Sequence, residues 1–485
     1  MGLEREISRT VSFKTSRGKT VRGTLHKVSR RHVVFEIYDP FLVLRTSEVL
    51  SGFQVRRGRD ALYQGDAVIT SVVNNAILLV VSATLAGDWT GLEDSALVPG
   101  GIQADAETFV SDWDRQNRLT PDYRLKVGEL RSFMNDLRYW LDQIDLTRDI
   151  ATTAAQTPNG QQSLTGLSDA EFDALKRPVM PRLTALFMGL EMACRDLDRS
   201  GIEIHKQLAQ RELLPLMMPS PFFNRVFTKP LGYAGDYEMV NMMFRNARGG
   251  LTTYAQVVDA WLLAGGPPEA HRNRIYTLER VLTEIAIETS TRNRPIRIMN
   301  IGCGPAQELQ LFLSKTQHAQ RFEIDLMDFN AETLAFTRQQ LSPLAAQQTE
   351  KPAINYKLKS VQDLLRQAIE QAEAPEPYDF IYCAGLFDYL SDRVCSKLVR
   401  LFYNWCAPGG RLLVTNVHTS NPVKGLMEHV MEWHLVLRDE DAMMRLAPDP
   451  EHSKVYADAT GINVFLDVCK PLSGDGMQRP IENRI

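Results

Sequence analysis

At 485 residues the chain is longer than one hydrophobic core ordinarily serves, so about two to four domains are expected. Its apolar share of 44%, charged share of 24% and formal net charge of −4 are those of a soluble globular protein, and they argue against nucleic acid as a partner. Cys194, Cys303, Cys383, Cys395, Cys406 and Cys469 stand in apolar contexts without a Cys-x-x-Cys pair, which points to buried thiols in a reducing cytoplasm and away from a metal site.

No signal peptide is expected ahead of the first polar strand, and no apolar run approaches the ~20 residues needed to span a bilayer. From about Val11 to Leu85 the pattern is strand-like. Val21, Gly23 and Leu25 alternate with polar residues, Val33 to Ile37 and Ala67 to Val73 are β-rich, and Asn74-Asn75 ahead of Ala76 to Val81 is a hairpin signal. A small barrel over residues 1–90 is predicted. This layout resembles a PilZ domain, the bacterial module that often binds cyclic di-GMP through an arginine pair and an (Asp/Asn)-x-Ser-x-x-Gly turn. The best alignment of that turn is Lys27-Val28-Ser29-Arg30-Arg31-His32. It keeps the serine alone, and Arg5 and Arg9 match the arginine spacing. A barrel used for packing or for forming a homodimer is favoured over one that binds cyclic di-GMP.

A helical region is predicted over residues 100–285, as a substrate or lid domain. Leu130, Phe133, Met134, Leu137, Leu141 and Ile144 recur at helical spacing. Thr152 to Thr165 reads as a loop, and Ser168-Asp169-Ala170-Glu171 as a capped helix start. Pro178 and Pro181 are expected to interrupt that helix, and the prolines of Leu213 to Pro221 to end the block. Leu251 to Leu282 reads as helix broken at the turn Gly265-Gly266-Pro267-Pro268.

One segment of this region does not look like packing: Lys229-Pro230-Leu231-Gly232-Tyr233-Ala234-Gly235-Asp236-Tyr237-Glu238. Two glycines, two tyrosines and two acids suit a ligand-facing loop entering a helix. Tyr233 and Tyr237 are candidates to stack on or hydrogen-bond a substrate, and Asp236 to accept from an ammonium or hydroxyl. Asp236 as a plain helix cap is the alternative, at equal weight.

After Pro295 strands and helices alternate, the pattern of a parallel α/β sheet. Arg297 to Ile301 is a short strand running into Gly302-Cys303-Gly304-Pro305-Ala306-Gln307-Glu308, a glycine turn that lets a ligand approach the backbone at a helix start. Phe322 to Met327 is the second strand and stops at Asp328, whose carboxylate suits a pair of ribose hydroxyls better than that of the mid-strand Asp325. A third strand near Ile354 to Leu358 leads to Val361 and Asp363, candidates to lie beside a base, with helix capping as the commoner role for Asp363. The fourth, Tyr378 to Ala384, leads into Gly385-Leu386-Phe387-Asp388-Tyr389-Leu390. The fifth, Arg411 to Val417, follows the turn Ala407-Pro408-Gly409-Gly410.

In this order and at these distances the glycine turn, Asp328, the Val361 to Asp363 loop and the segment after the fourth strand resemble the class I S-adenosylmethionine-dependent methyltransferases. The resemblance covers about Ile296 to Cys469 and implies a multi-domain α/β chain. A Rossmann-like sheet over residues 290–475 would follow the barrel and the helices. It makes Asn300, Gly302, Gly304, Ala306, Glu308, Asp328, Val361, Asp363, Ala384 and Gly385 the cofactor-side candidates. Asn300 stands where the pattern usually has an acid, and Ala306 where it has a third glycine. Glu308, Asp236 or Glu238 would then supply the charge for the cofactor's ammonium.

Gly232 to Asn241, Ala384 to Leu390 and Asn416 to Arg438 resemble, more narrowly, a bacterial family assigned to 3-hydroxypalmitic acid methyl ester synthesis, a secreted quorum signal. That resemblance implies a 3-hydroxy fatty acid as substrate, with Tyr389, Asn421, Trp433 and Arg438 on the substrate side. Glu428, Glu432 and His434 lie in the same stretch. His418 is the candidate general base or donor to a carboxylate oxygen, against a purely structural hydrogen bond. Met427, Val430, Met431 and Leu435 recur at helical spacing beside Trp433, which suits core packing better than an acyl tunnel. Methylation of an amine, hydroxyl or protein side chain is the alternative activity. A cyclic di-GMP-responsive regulator that binds S-adenosylmethionine without turnover is the alternative of another class.

Overall fold

The computed structural model describes residues 9–87, 119–154, 167–197, 202–288, 294–315, 321–370 and 376–472, with short gaps inside the first span and a few positions in 106–114. The chain divides into two compact units, one N-terminal and one built on Asp114–Pro230 with Ala234–Ile485.

The N-terminal unit is a closed antiparallel barrel. Its strands are β1 (Arg9–Lys14), β2 (Thr20–Val28), β3 (His32–Ile37), β4 (Val49–Arg57), β5 (Asp60–Asn74) and β6 (Leu79–Leu85), in the order β1-β2-β3-β6-β5-β4. Alternation explains the closure: Val11 and Phe13, Val33, Phe35 and Ile37, and Val81, Ala83 and Leu85 all point inward and are buried. Phe13, Phe35 and Phe53 meet at its centre with ring centroids 5.4–5.9 Å apart. Ser29 spends its hydroxyl on the β2–β3 turn, accepting from the His32 N–H at 3.1 Å. Arg5, Arg30 and the Asn75 to Leu78 part of the expected hairpin lie outside the described residues.

The second unit opens with helices α1 (Pro121–Ala154), α2 (Asp169–Arg195), α3 (Ile202–Met217), α4 (Pro221–Thr228), α5 (Tyr237–Arg245), α6 (Thr253–Leu263) and α7 (Gly266–Glu288). The capped start at Ser168 is present: its hydroxyl accepts from the Glu171 N–H, and the Glu171 carboxylate accepts from the Ser168 N–H. The expected breaks at Pro178 and Pro181 do not occur. Both sit inside α2, whose buried face of Phe172, Val179, Leu183, Leu186, Phe187 and Leu190 runs straight past them. Burial of that stripe outweighs the lost backbone bonds. Pro215 likewise lies inside α3, and the block ends only after Met217. Gly266-Pro267-Pro268 is the first turn of α7, where proline lacks no bond it would otherwise make.

The remaining strands form one sheet. They are β7 (Ile296–Ile301), β8 (Phe322–Asp328), β9 (Ala353–Leu358), β10 (Tyr378–Cys383), β11 (Cys406–Val417), β12 (Ser453–Ala457) and β13 (Asn463–Cys469), in the order β12-β13-β11-β10-β7-β8-β9. The five strands β7 to β11 pair in parallel, as the alternating pattern predicts. Two antiparallel strands, β13 and β12, extend the sheet beyond β11. Helices α8 (Gln307–Lys315), α9 (Ala331–Ala346), α10 (Val361–Ile369) and α11 (Asp392–Trp405) connect the strands, and the short α12 (Lys424–His429) and α13 (Glu440–Met444) lie between β11 and β12. Leu278, Val281, Leu282 and Ile285 of α7 share a core with Ile298, Leu326, Phe380 and Leu413 of the strands.

This strand order places a site. From β7 the chain steps outward to β8 and β9, then crosses back to β10 and β11 on the other side. The direction of winding reverses between β7 and β10, and ligands of open α/β sheets sit outside the carboxyl ends of the strands at such a point.

Candidate functional site

Ile301 pairs with Cys383 across the β7–β10 ladder, so the segments that follow, Gly302 to Ala306 and Ala384 to Leu390, leave the sheet side by side. The glycine turn holds an unusual backbone: Gly302, Gly304 and Ala306 have φ of 68°, 50° and 50°. The first two suit glycine. Ala306 carries the strain of a left-handed residue and is fully buried. A Cβ built on Gly304 would meet nothing within 4 Å. There is room for a ligand against this turn.

Asp328 ends β8 beside it. Its Oδ2 accepts from the Gly304 N–H at 3.1 Å and its Oδ1 from the Asn330 N–H at 2.9 Å. Burial pushes this carboxyl up to about 6, against the pull of those backbone donors. Asp325, by contrast, is occupied within the sheet by Lys357 at 2.7 Å, Asn355 at 2.9 Å and the Tyr378 hydroxyl.

Asn300 faces Glu308. Its Nδ2 donates to Glu308 Oε1 at 3.0 Å, and the Tyr382 hydroxyl donates to the same oxygen at 2.8 Å. Burial raises the Glu308 carboxyl above its usual range. Glu238 is spent on Asn241 at 2.9 Å and on Arg245. Asp236 is different. It is 1% exposed, and its Oδ1 caps α5 through the Met239 N–H at 2.9 Å and receives Arg225 Nε at 2.8 Å. Its Oδ2 is buried and has no partner. The cap and the available acceptor coexist in one side chain.

Helix α5 is fastened to the turn and to α9: Gln307 Nε2 donates to Asn241 Oδ1 at 2.6 Å, and Tyr237 stacks on Phe336 at 4.6 Å with its hydroxyl on Glu332 at 3.0 Å. Tyr233 is half-buried in the preceding turn. Val361 opens α10, and Asp363 forms a capping box with Ser360, accepting from its N–H at 2.9 Å and its hydroxyl at 2.8 Å. The capping role expected as the alternative is the one present.

On the β10 side, Gly385 has φ 93°, and a Cβ there would stand 3.3 Å from a guanidinium nitrogen of Arg274. Tyr389 accepts from Trp433 Nε1 at 3.0 Å, and its hydroxyl would lie 2.6 Å from a Cβ on Gly235. The loop before α5, the segment after β10 and the stretch around Trp433 therefore converge. Arg274 was not legible as a site residue from loops or motifs. Its one signal is that it falls in the apolar stripe of α7, between the buried Ala270 and Leu278.

Other predicted site residues are engaged elsewhere. The His418 Nδ1 meets the Ser420 N–H at 3.0 Å and the Ser420 hydroxyl at 2.7 Å, and Nε2 meets Glu440 Oε2 at 2.9 Å. Arg438 is 2% exposed and donates to Asp392, to Asn416 Oδ1 and to the Phe387 and Leu390 carbonyls at 2.6–2.9 Å. It latches the segment after β10 to β11, which corrects its expected place among substrate contacts. Asn421 is buried and turned onto its own loop, accepting from the Val423 N–H at 3.2 Å. Met427, Val430 and Met431 belong to the helical core, as the packing reading predicts.

Residues 270–462 match a family whose description is "Methyltransferase domain". This stretch is a methyltransferase domain. The match begins within α7, so that helix and Arg274 belong to the methyltransferase domain. No curated protein matches the chain in sequence. Among solved structures, a possible exported protein from Bordetella parapertussis is 16% identical, covering 65% of this chain and 100% of its own, with a TM-score of 0.41. Magnesium protoporphyrin IX methyltransferase from Synechocystis PCC 6803 is 9% identical over 41% of this chain and 84% of its own, at 0.31. N-methyltransferase NodS from Bradyrhizobium japonicum WM9 is 15% identical over 42% and 97%, at 0.29. The assignment rests on the family match, together with the sheet order and the glycine turn. Among the described residues no helix is long and apolar enough to cross a membrane.

Proposed function

We propose that the methyltransferase domain uses S-adenosylmethionine to methylate the carboxylate of a small acid, a 3-hydroxy fatty acid or one like it, giving a methyl ester. The residues of the turn fit that cofactor: Gly304 combines left-handed backbone with open space where a Cβ would stand. Asp328 takes backbone N–H groups on both oxygens and, ending β8 beside the turn, is the candidate acceptor for the ribose hydroxyls. Val361, at the start of α10, is the apolar candidate beside the base. Asp236 offers its unpartnered Oδ2 to the ammonium in place of an acid at Asn300. When bound, the cofactor supplies an electrophilic methyl on a positive sulfur, and its transfer neutralises that charge. The chain's own part is alignment and exclusion of water.

The observation that carries the acceptor class is His418. Both ring nitrogens are taken, one by the Ser420 N–H and one by Glu440, so the candidate base has no lone pair to offer a substrate proton. Burial raises the Tyr389 and Tyr237 hydroxyls above their ordinary range, and they too are poor bases at neutral pH. A carboxylate is already ionised near pH 7 and needs no base, whereas an amine or hydroxyl does.

The test is transfer of labelled methyl from the cofactor to a set of 3-hydroxy acids of graded chain length, alongside amines and alcohols. Label in the acids supports the reading. Label on amines, hydroxyls or protein side chains instead would replace it with the corresponding methyltransferase. Cofactor binding without any transfer would favour a regulatory role.

A further inference from the structure

Arg274 is 7% exposed, yet among the described residues it meets no carboxylate within ion-pair distance. Its hydrogen-bond contacts are with the ring of His271 at 3.0 Å, one turn earlier on α7. A buried guanidinium with five donors and one neutral partner is costly unless an anion completes it. Glu308 and Asp388 act on it through space, but neither forms an ion pair with it; Glu308 Oε1 is held by Tyr382 and Asn300, and Asp388 Oδ1 by the Val417 N–H. The two terminal nitrogens of the guanidinium would stand 3.3 and 3.4 Å from a Cβ on Gly385, nearer than Cζ at 3.7 Å, so the fork is turned toward the carboxyl end of β10, beside the winding reversal. Any side chain at Gly385 would press on it at 3.3 Å. Tyr389, four residues after Gly385, has its hydroxyl 2.6 Å from where a Cβ on Gly235, the neighbour of Asp236, would stand, so the segment after β10 brings an arginine without an ion-pair partner and a half-free carboxylate to one region.

Resting on the cofactor reading above, the geometry points to Arg274 as the receptor for the carboxylate of the cofactor's amino acid end, opposite Asp236 as receptor for its ammonium. A zwitterion is the ligand chemistry that satisfies both groups at once. Guanidinium and carboxylate match as a planar fork, and burial keeps the pair from being screened. It also accounts for the missing acid at Asn300. The amino acid end is held from α7 and from the loop before α5, so the end of β7 need not carry a charge.

The test is calorimetric titration of the full chain with S-adenosylhomocysteine and with 5′-methylthioadenosine, which keeps the nucleoside and sulfur but lacks the amino acid end. The wild type is expected to bind the first at least about tenfold more tightly. Arg274→Gln is expected to lose at least about tenfold for S-adenosylhomocysteine and less than about twofold for methylthioadenosine. Arg274→Lys should fall between, and it carries the same comparison if the glutamine variant does not fold. Equal losses for both ligands would make Arg274 structural, and unchanged S-adenosylhomocysteine affinity would overturn the proposal. A raised KM for the acceptor alone would assign the arginine to the substrate instead. A wild type that binds neither nucleoside would refute the cofactor reading itself.

Discussion

The Gly304 N–H donates to Asp328 Oδ2 at 3.1 Å, so the turn after β7 and the end of β8 form one piece of structure. The carboxylate that orders the turn is also the one proposed to hold the ribose. Its burial leaves it with a value of about 6.

That value gives a pH dependence with a definite sign. Because the folded-state value lies above the ordinary carboxylate value near 4, this group favours folding below about pH 4, and the contribution is lost as pH rises through about 6. Cofactor binding runs the opposite way, since the ionised form is the better double acceptor. The affinity for S-adenosylhomocysteine is expected to rise from about pH 5 to about pH 7. Asp328→Asn should flatten that rise and weaken binding by about ten- to a hundredfold, measured by titration calorimetry at several pH values.

Gly304→Ala separates the fold from the ligand. The left-handed φ of 50° disfavours alanine by about 1 kcal/mol, but the added methyl meets no protein atom. Denaturant unfolding should therefore show a small loss of stability, while cofactor affinity falls by much more because the methyl occupies the open space.

His418→Ala is expected to retain kcat within about fivefold, since the imidazole is committed to Ser420 and Glu440. A fall in kcat of about a hundredfold or more with KM unchanged would show that the ring moves a proton in the reaction.

Arg438→Ala should destabilise the protein by about 3–5 kcal/mol, because it leaves Asn416 Oδ1 without its donor and takes one donor from each of the Phe387 and Leu390 carbonyls. Urea unfolding measures this. Arg438→Lys should recover little, since one ammonium cannot reach acceptors spread around the planar fork.

The parts legible in the sequence were those with local signals. Gly302 and Gly304 follow an apolar strand, Asp328 ends the next, and Ser168 with Glu171 spells a capped start; each depends on neighbours within a few residues. Pro178 and Pro181 misled because their local cost is overcome by a buried stripe that only the packed α2 reveals. Arg438 sits in the right segment, but its direction into the interior follows from β11 and the segment after β10 meeting, over 40 positions apart in its contacts with Asp392 and Leu390. Arg274 carried the faintest mark, a charge inside the apolar stripe of α7. The sequence shows such a position, while the want of a carboxylate at ion-pair distance from its guanidinium appears only in three dimensions.

Transfer of the methyl group to a carboxylate is tested by the chemical stability of the product. Full-length protein, methyl-labelled S-adenosylmethionine and a 3-hydroxy fatty acid are incubated together, and the isolated product is treated with mild alkali. An ester releases its label as volatile methanol, which is the predicted result. Label that stays in the product after alkali would mean an ether, an amine or a carbon acceptor, and would rule out carboxylate methylation.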